Sequence, residues 1–509
     1  MIKPAYKLTL FLFLYLASMV ANLALPAEAR VTLARIFSDG VILQKEKPVK
    51  VFGTALPGEV VTAELGIGHA QQVVGKDGRF IITLPPTPTS NVLELKVTGQ
   101  NTVVVRNIRF GQVWLVAGEG LVDSSLQDEM ASAKKYGETI DGDGDGTNIS
   151  MPPNLMVFKP DLLIKRNPEF IGSGSWVKGT EQEIQKYSAI ALLFGKELAG
   201  NIKEPVGIIQ VSVPNTPLRT WISPMGLDSK TDSRSLAQKY MMDEDVYDKL
   251  WGEYKSKVAE SGQAVPAAEL TAMSSGVFNG MLASIVPFSL KGIVFCQGES
   301  DLRAPLSYKT LFPILIKDLR LTFNQEALPL VYVQMGAQPS QEPEKENDSA
   351  AASLRHTQFK ARIAPRVFLV VSSDLCREDM KTGNIYLSAQ ELAKRIANTA
   401  LAGLYHISRP YLSPVVEYVE NEGEAIKVVF KNAGKGLLAK GPQPVKGFSL
   451  AGSDHKFFDA VAKIEGNTVT LECKYVKMPR FVRYGWGNNP ILSIYSLDGM
   501  PACPYTNDR

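Results

Sequence analysis

The residues best placed to do chemistry lie between Gly111 and Leu126, GQVWLVAGEGLVDSSL, where an apolar run from Val113 to Ala117 leads into Gly118-Glu119-Gly120. A buried strand whose C-terminal end meets a glycine turn ahead of a helix start is where open α/β sheets place reacting groups. Ser124 and Ser125 follow the turn, and a second segment, Phe295 to Asp301, carries Gln297, Glu299, Ser300 and Asp301. A serine attacks only when a base takes its proton, and that base is ordinarily a histidine. The histidines are His69, His356, His406 and His455, which read as surface or structural residues, and Ser124 and Ser125 read as the first turn of a helix. Glu299 and Asp301 could form the carboxylate pair of a glycoside hydrolase, but they stand two apart on one segment. Asp141-Gly142-Asp143-Gly144-Asp145-Gly146 opens like a calcium loop, because oxygen ligands at alternate residues suit a hard cation. Pro152 falls where such a loop needs a bidentate glutamate, so a solvated acidic loop stays open beside calcium.

These words resemble the sialate O-acetylesterase family, carbohydrate esterases of the SGNH class, whose first block is close to GDVWLCSGQSNM with the serine as nucleophile. Set against it without a gap, Gly118 keeps the family glycine, Glu119 stands at the glutamine and Gly120 at the serine. The second block, usually SSWGGTP.EAW, is similar to Ser212–Trp221, SVPNTPLRTW, with Pro214 and Asn215 at the glycines and Arg219 at the glutamate. The third, WYQGESN, survives as FCQGESD, with Asp301 at an asparagine that would donate to an oxyanion; an ionised carboxylate only accepts. In the fourth, IHPKNKQEVGRRLA, registering the last four letters on Lys394 to Ala397 puts Ile385 at the histidine, and no histidine lies between His356 and His406.

The resemblance implies a flavodoxin-like SGNH hydrolase domain, removal of O-acetyl groups from sialic acids or related glycans, and no metal or other cofactor. With its catalytic positions occupied by Gly120, Asn215, Asp301 and Ile385, this chain is expected to be catalytically deficient. A candidate glycan-binding cleft comprises Gly118, Glu119, Asn215, Gln297, Glu299 and Asp301. An esterase with an unrecognised nucleophile and a structural partner of an active paralogue are the alternatives.

The elements that must position these residues read as an α/β fold with β-rich flanks. Residues 1–29 form the expected secretory signal, with Lys3 and Lys7 before an apolar run and Ala27-Glu28-Ala29 as the cleavage site, so a secreted or periplasmic protein is expected. Residues 30–108 read as an N-terminal β-sandwich, with Asp77-Gly78 closing a hairpin into Phe80–Leu84. Residues 109–408 read as the SGNH-like α/β domain, interrupted by a helix-prone insert at about 223–274 and a charged loop from Gln338 to Ser349. Ser388 and Glu391 are spaced as a capping box for a helix reaching about Leu404. Residues 409–509 read as a C-terminal β-domain, and the phrase VRYGWGNNP there is again similar to the family. A net charge of +3, about +2 without the signal, offers no global field for nucleic acid or anionic lipid, so the expected partner is a glycan or O-acetylated sugar. Cys296, Cys376, Cys473 and Cys503 are widely spaced and contain no C-x-x-C pair, which argues against zinc; Cys473 and Cys503 could pair or remain separate thiols.

Overall fold

The structure, a computed structural model, describes residues 30–508 other than 88–90, 139, 141–148, 262–263, 340–347, 380–381 and 442–443. The signal segment and the Asp141–Asp145 calcium candidate therefore lie outside the described residues. Between Thr32 and Thr98 the chain forms short strands with alternating burial. In Arg79–Leu84, Phe80, Ile82 and Leu84 point inward and their neighbours outward. The turn at Asp77-Gly78 forms, with the Gly78 N–H donating to the Gly75 carbonyl at 2.9 Å. The strand after it pairs with Val49–Thr54 and not, as the hairpin reading expected, with the strand before it. That crossing puts Phe80 and Ile82 in one core with Val51 and Phe52. The preceding strand, Gly68–Val73, is too polar to announce itself in sequence and pairs with Val60–Leu65.

Strand β1 (Thr102–Gly118) ties the molecule together. Its first part pairs antiparallel with Leu93–Thr98, its middle runs parallel to Ile42–Gln44, and its last part enters a larger sheet. There follow α1 (Leu126–Lys135), β2 (Leu155–Lys159), β3 (Ser175–Lys178), α2 (Ala189–Ile202), β4 (Val206–Ser212), α3 (Glu244–Ser261), β5 (Gly292–Cys296), α4 (Pro305–Thr322), β6 (Leu330–Val333), α5 (Ala350–Ala361), β7 (Val367–Val370) and α6 (Ala389–Tyr405). The strand order is β3-β2-β4-β1-β5-β6-β7, parallel except at the β3 edge. Side chains on β1 alternate between two cores. Val113, Leu115 and Ala117 share one with Tyr308 and Leu315 of α4, while Trp114 and Val116 share the other with α2 and α6. Trp114 is wholly buried, lies edge-on to Phe194 at 5.2 Å and donates its indole N–H to the Tyr405 hydroxyl at 3.0 Å. Coverage of both faces explains why these strands are continuous apolar runs.

Helix α6 starts where the sequence places it, but the capping box is not made. Ser388 contributes no side-chain cap. The Glu129 carboxylate of α1 accepts from the Ala389 N–H at 3.0 Å and from the Tyr386 hydroxyl at 3.1 Å, so a long-range partner fills the local one's place.

After Pro410 two larger sheets form, beside a small pairing of Leu437–Ala439 with Ile494–Ser496. Val415–Glu422, Ala425–Lys431, Thr468–Glu472 and Val461–Glu465 make one, and Phe448–Ala451 with Phe481–Tyr484 forms the centre of the other. All four cysteines are free thiols, Cys473 and Cys503 included. Among the described residues no helix is long and apolar enough to cross a membrane.

Candidate functional site

Strand pairing sets the site's frame. Gly118 stands level with Ser212 of β4 and with Cys296 of β5, so three strand ends meet at one edge. The approach is close enough to demand glycine. Gly118 has φ +142°, and a Cβ there would lie 1.8 Å from the Cys296 carbonyl oxygen.

Beyond the strand ends, the chain turns Glu119 inward, where it is 4% exposed. Its Oε1 accepts from the Ser300 N–H at 3.0 Å, the Gln297 amide at 3.2 Å and the Gly298 N–H at 3.3 Å. Oε2 accepts from the Thr216 N–H at 3.0 Å and from the Ser300 hydroxyl. These partners are neutral donors, so burial outweighs them and raises the Glu119 pKa. Asp301 is 2% exposed and accepts from the Leu218 N–H at 2.8 Å and the Gln297 amide at 2.6 Å. Burial pushes it up to about 6. The Gln297 amide nitrogen thus faces Glu119, Asp301 and the Thr216 carbonyl, and its buried Oε1 has no partner.

Gly120, with φ +58°, follows on the outer side. A Cβ added there would meet the Glu299 Oε2 at 2.8 Å, so the Glu299 carboxylate hangs over the position. Glu299 is exposed as a residue, yet its carboxylate lies against this wall; desolvation there, with repulsion from Glu119, raises its pKa. The Gly120 N–H donates to Asp123 Oδ2 at 2.8 Å. Burial chiefly, with Glu119 and Glu299 adding repulsion, pushes Asp123 up to about 7 against the pull of that N–H and of Lys159.

The structure therefore gathers Gly118, Glu119, Gln297, Glu299 and Asp301 of the candidate cleft around Gly120. Asn215 is exposed on the neighbouring turn with φ +56°, one residue before Thr216. Arg219 turns away from the corner, its guanidinium 3.6 Å over the Tyr240 ring and its Nε bonded to the Ala272 carbonyl at 2.9 Å. It anchors the insert. Ile385 sits in a two-stranded hairpin opposite Glu378. Ser125 caps α1 through the Asp128 N–H, as a first-turn serine should. The histidines serve elsewhere: His69 lies beside Glu64 at 3.7 Å, His356 stacks on Phe359, His406 ends α6 in a left-handed conformation, and His455 bonds Asp508.

Sequence reasoning missed three residues bordering the open space beside this corner. Asp123, Lys159 and Tyr254 line a cleft of about 660 Å³ with Gln210, Ser212 and Pro214. By contrast, the space enclosed by Glu119, Gln297 and Glu299 amounts to about 20 Å³. Asp123 lay three residues past Gly120 and was available as a signal; Lys159 and Tyr254 carried none.

A parallel sheet whose strand ends meet at a glycine turn and a carboxylate-rich corner defines an α/β protein with its candidate site at the strand ends. A solved carbohydrate acetylesterase from Xanthomonas citri has a similar fold, with a TM-score of 0.76 at 22% identity, over 94% of this chain and 100% of that one. Residues 180–402 match the family described as carbohydrate esterase, sialic acid-specific acetylesterase. The Homo sapiens sialate O-acetylesterase is 24% identical over 389 residues, 69% of this chain and 67% of that protein. The Rattus norvegicus sialate O-acetylesterase is 23% identical over 431 residues, 77% of each. The chain is thus similar to the sialate O-acetylesterases over most of its length.

Proposed function

We propose that this chain is a glycan-binding member of that family, without the serine-histidine chemistry of O-acetyl ester hydrolysis. It would act after export, with a flavodoxin-like domain between two β-sandwich-like flanks. The observation that carries the reading is at Gly120: the nucleophile's position has no side chain, and the Glu299 carboxylate stands 2.8 Å from where its Cβ would be. Removing nucleophile or base from such a triad costs on the order of a million-fold in turnover. Nearby alternatives are poorly suited to replace it. Ser125 is engaged as a helix cap, Ser300 is bonded to Glu119, and burial pushes the Cys296 thiol up to about 12, which leaves no thiolate at neutral pH.

The test is hydrolysis of p-nitrophenyl acetate and of 9-O-acetylated sialic acid by the purified mature protein. No turnover above a heat-inactivated control is expected. Turnover that survives Ser124→Ala and Ser125→Ala would overturn the deficiency and require another nucleophile. Binding is read separately, as a rise in melting temperature with free or acetylated sialic acid.

A further inference from the structure

The corner that keeps the family's letters is narrow: its 20 Å³ has room for about one water molecule, far below what a sugar ring needs. One strand over, the 660 Å³ cleft is within the size range of ligand sites and lies between the strand ends and the insert. Its walls differ in kind. On the sheet side stand Asp123, Lys159, Gln210 and Ser212; on the insert side stand Tyr254 and Val258 of α3. The polar wall is held in place. Gln210 accepts from the Ser188 N–H at 2.9 Å and donates to the Ser212 hydroxyl at 3.2 Å.

Helix α3 is unusual in burying none of its residues although it carries an aromatic row. Tyr247 and Trp251 lie nearly parallel with centroids 6.3 Å apart, and Trp251 and Tyr254 follow at 5.1 Å. The Tyr247 hydroxyl anchors the row to the body through the Ile164 carbonyl at 2.8 Å, and Tyr254, at the other end, borders the cleft. A half-covered ring facing a wall of mixed donors and acceptors matches the two-sided chemistry of a pyranose. The C–H face of the sugar packs on an aromatic ring, and its hydroxyls need closely set polar partners.

We propose that the glycan is held in this cleft and not in the closed corner, as a pyranose ring stacked against Tyr254 with its hydroxyls bonded to Asp123 and Lys159. The proposal rests on the glycan-binding reading above and specifies its site. Titrations of the full mature protein with N-acetylneuraminic acid, 9-O-acetyl-N-acetylneuraminic acid and methyl β-D-galactopyranoside, followed by intrinsic tryptophan fluorescence and calorimetry, test it. At least one probe should bind. Tyr254→Leu and Lys159→Met should each weaken that binding about tenfold or more, while Tyr254→Phe, which keeps the ring, should stay within about threefold. Far-UV circular dichroism and melting curves confirm that each variant is folded.

If a probe binds and the Tyr254 and Lys159 variants bind like the parent, the placement is overturned and the glycan reading stands. The same holds if the loss is confined to Glu299→Gln. If none of the probes binds the parent protein, the glycan reading falls and this placement falls with it.

Discussion

At the ends of β1 and β5 the polar side chains are bonded to other parts of the protein, whereas one strand over, at the ends of β2 and β4, they face an open cleft. Glu119, Gln297 and Asp301 are each under 10% exposed and linked to one another through the Gln297 amide. Asp123 and Lys159 line a space more than thirty times larger. The closed corner keeps most of the family's wording, whereas the open cleft takes from it only Ser212 and Pro214 of the second block. Similar wording therefore marks where backbone and side chains must fit each other; which space can admit a ligand is decided by the insert and the strand-end loops.

Substitution of Gly118 bears hardest on this comparison. Gly118→Ala places a methyl group 1.8 Å from the backbone oxygen of Cys296 at a φ of +142°, and neither backbone can yield without separating β1 from β5. A loss of about 4 kcal/mol or more is expected in urea unfolding. A loss under about 1 kcal/mol would mean that the corner is far looser than its bonding implies.

Glu119 comes next. Glutamine is the family's residue there, but its NH2 group cannot accept from the backbone N–H donors around both Glu119 oxygens. Glu119→Gln should cost about 1–3 kcal/mol by leaving a buried donor unpaired, and Glu119→Ala should cost more. A neutral or stabilising Glu119→Gln would show that the carboxylate's burial penalty outweighs its hydrogen bonds, so the corner's closure would rest on packing alone.

Gly120→Ser is a smaller change. A side chain at φ +58° costs about 1 kcal/mol, and the contact with Glu299 adds to it, though a carboxylate at the end of a flexible side chain can swing aside. A total of about 1–2 kcal/mol is expected, partly recovered when Glu299→Ala is added in a double-mutant cycle. Full additivity would place Glu299 away from Gly120.

In the larger sheet β6 and β7 are short, uniformly apolar runs of the kind a sequence marks plainly, whereas β3, Ser-Trp-Val-Lys, is not. Helix α6 was legible too, but its cap was not, since Glu129 lies far away in sequence and no local rule predicts a long-range carboxylate. The N-terminal hairpin failed for a related reason: a turn signal fixes a reversal, while the partner of the next strand is chosen by the core that Phe80 and Ile82 enter. At the site, the side chains named through the resemblance at the ends of β1 and β5 lie around Gly120, but the wording gave no volume. The open cleft depends on how α3 lies over β2 and β4, and the sequence of α3 read only as polar and helix-prone.

The mildest test separates the two regions by charge. Asp123 holds its proton up to about pH 7 in the folded protein, whereas an unfolded aspartate ionises near pH 4. Between those values the folded state binds more protons than the unfolded one, so this group's contribution to stability falls as pH rises from about 4 to about 7 and is constant above. Asparagine can still accept the Gly120 N–H, and it removes the charge that the cleft penalises. Asp123→Asn should therefore match the parent near pH 4 and exceed it at pH 8 by about 1 kcal/mol, less than the full pKa shift implies because the cleft admits solvent. Melting curves of both proteins at the two pH values provide the measurement. A variant less stable than the parent at pH 8 would show that Lys159 stabilises Asp123 as a carboxylate. The open cleft would then carry a fixed pair of opposite charges beside a corner whose carboxylates have only neutral donors.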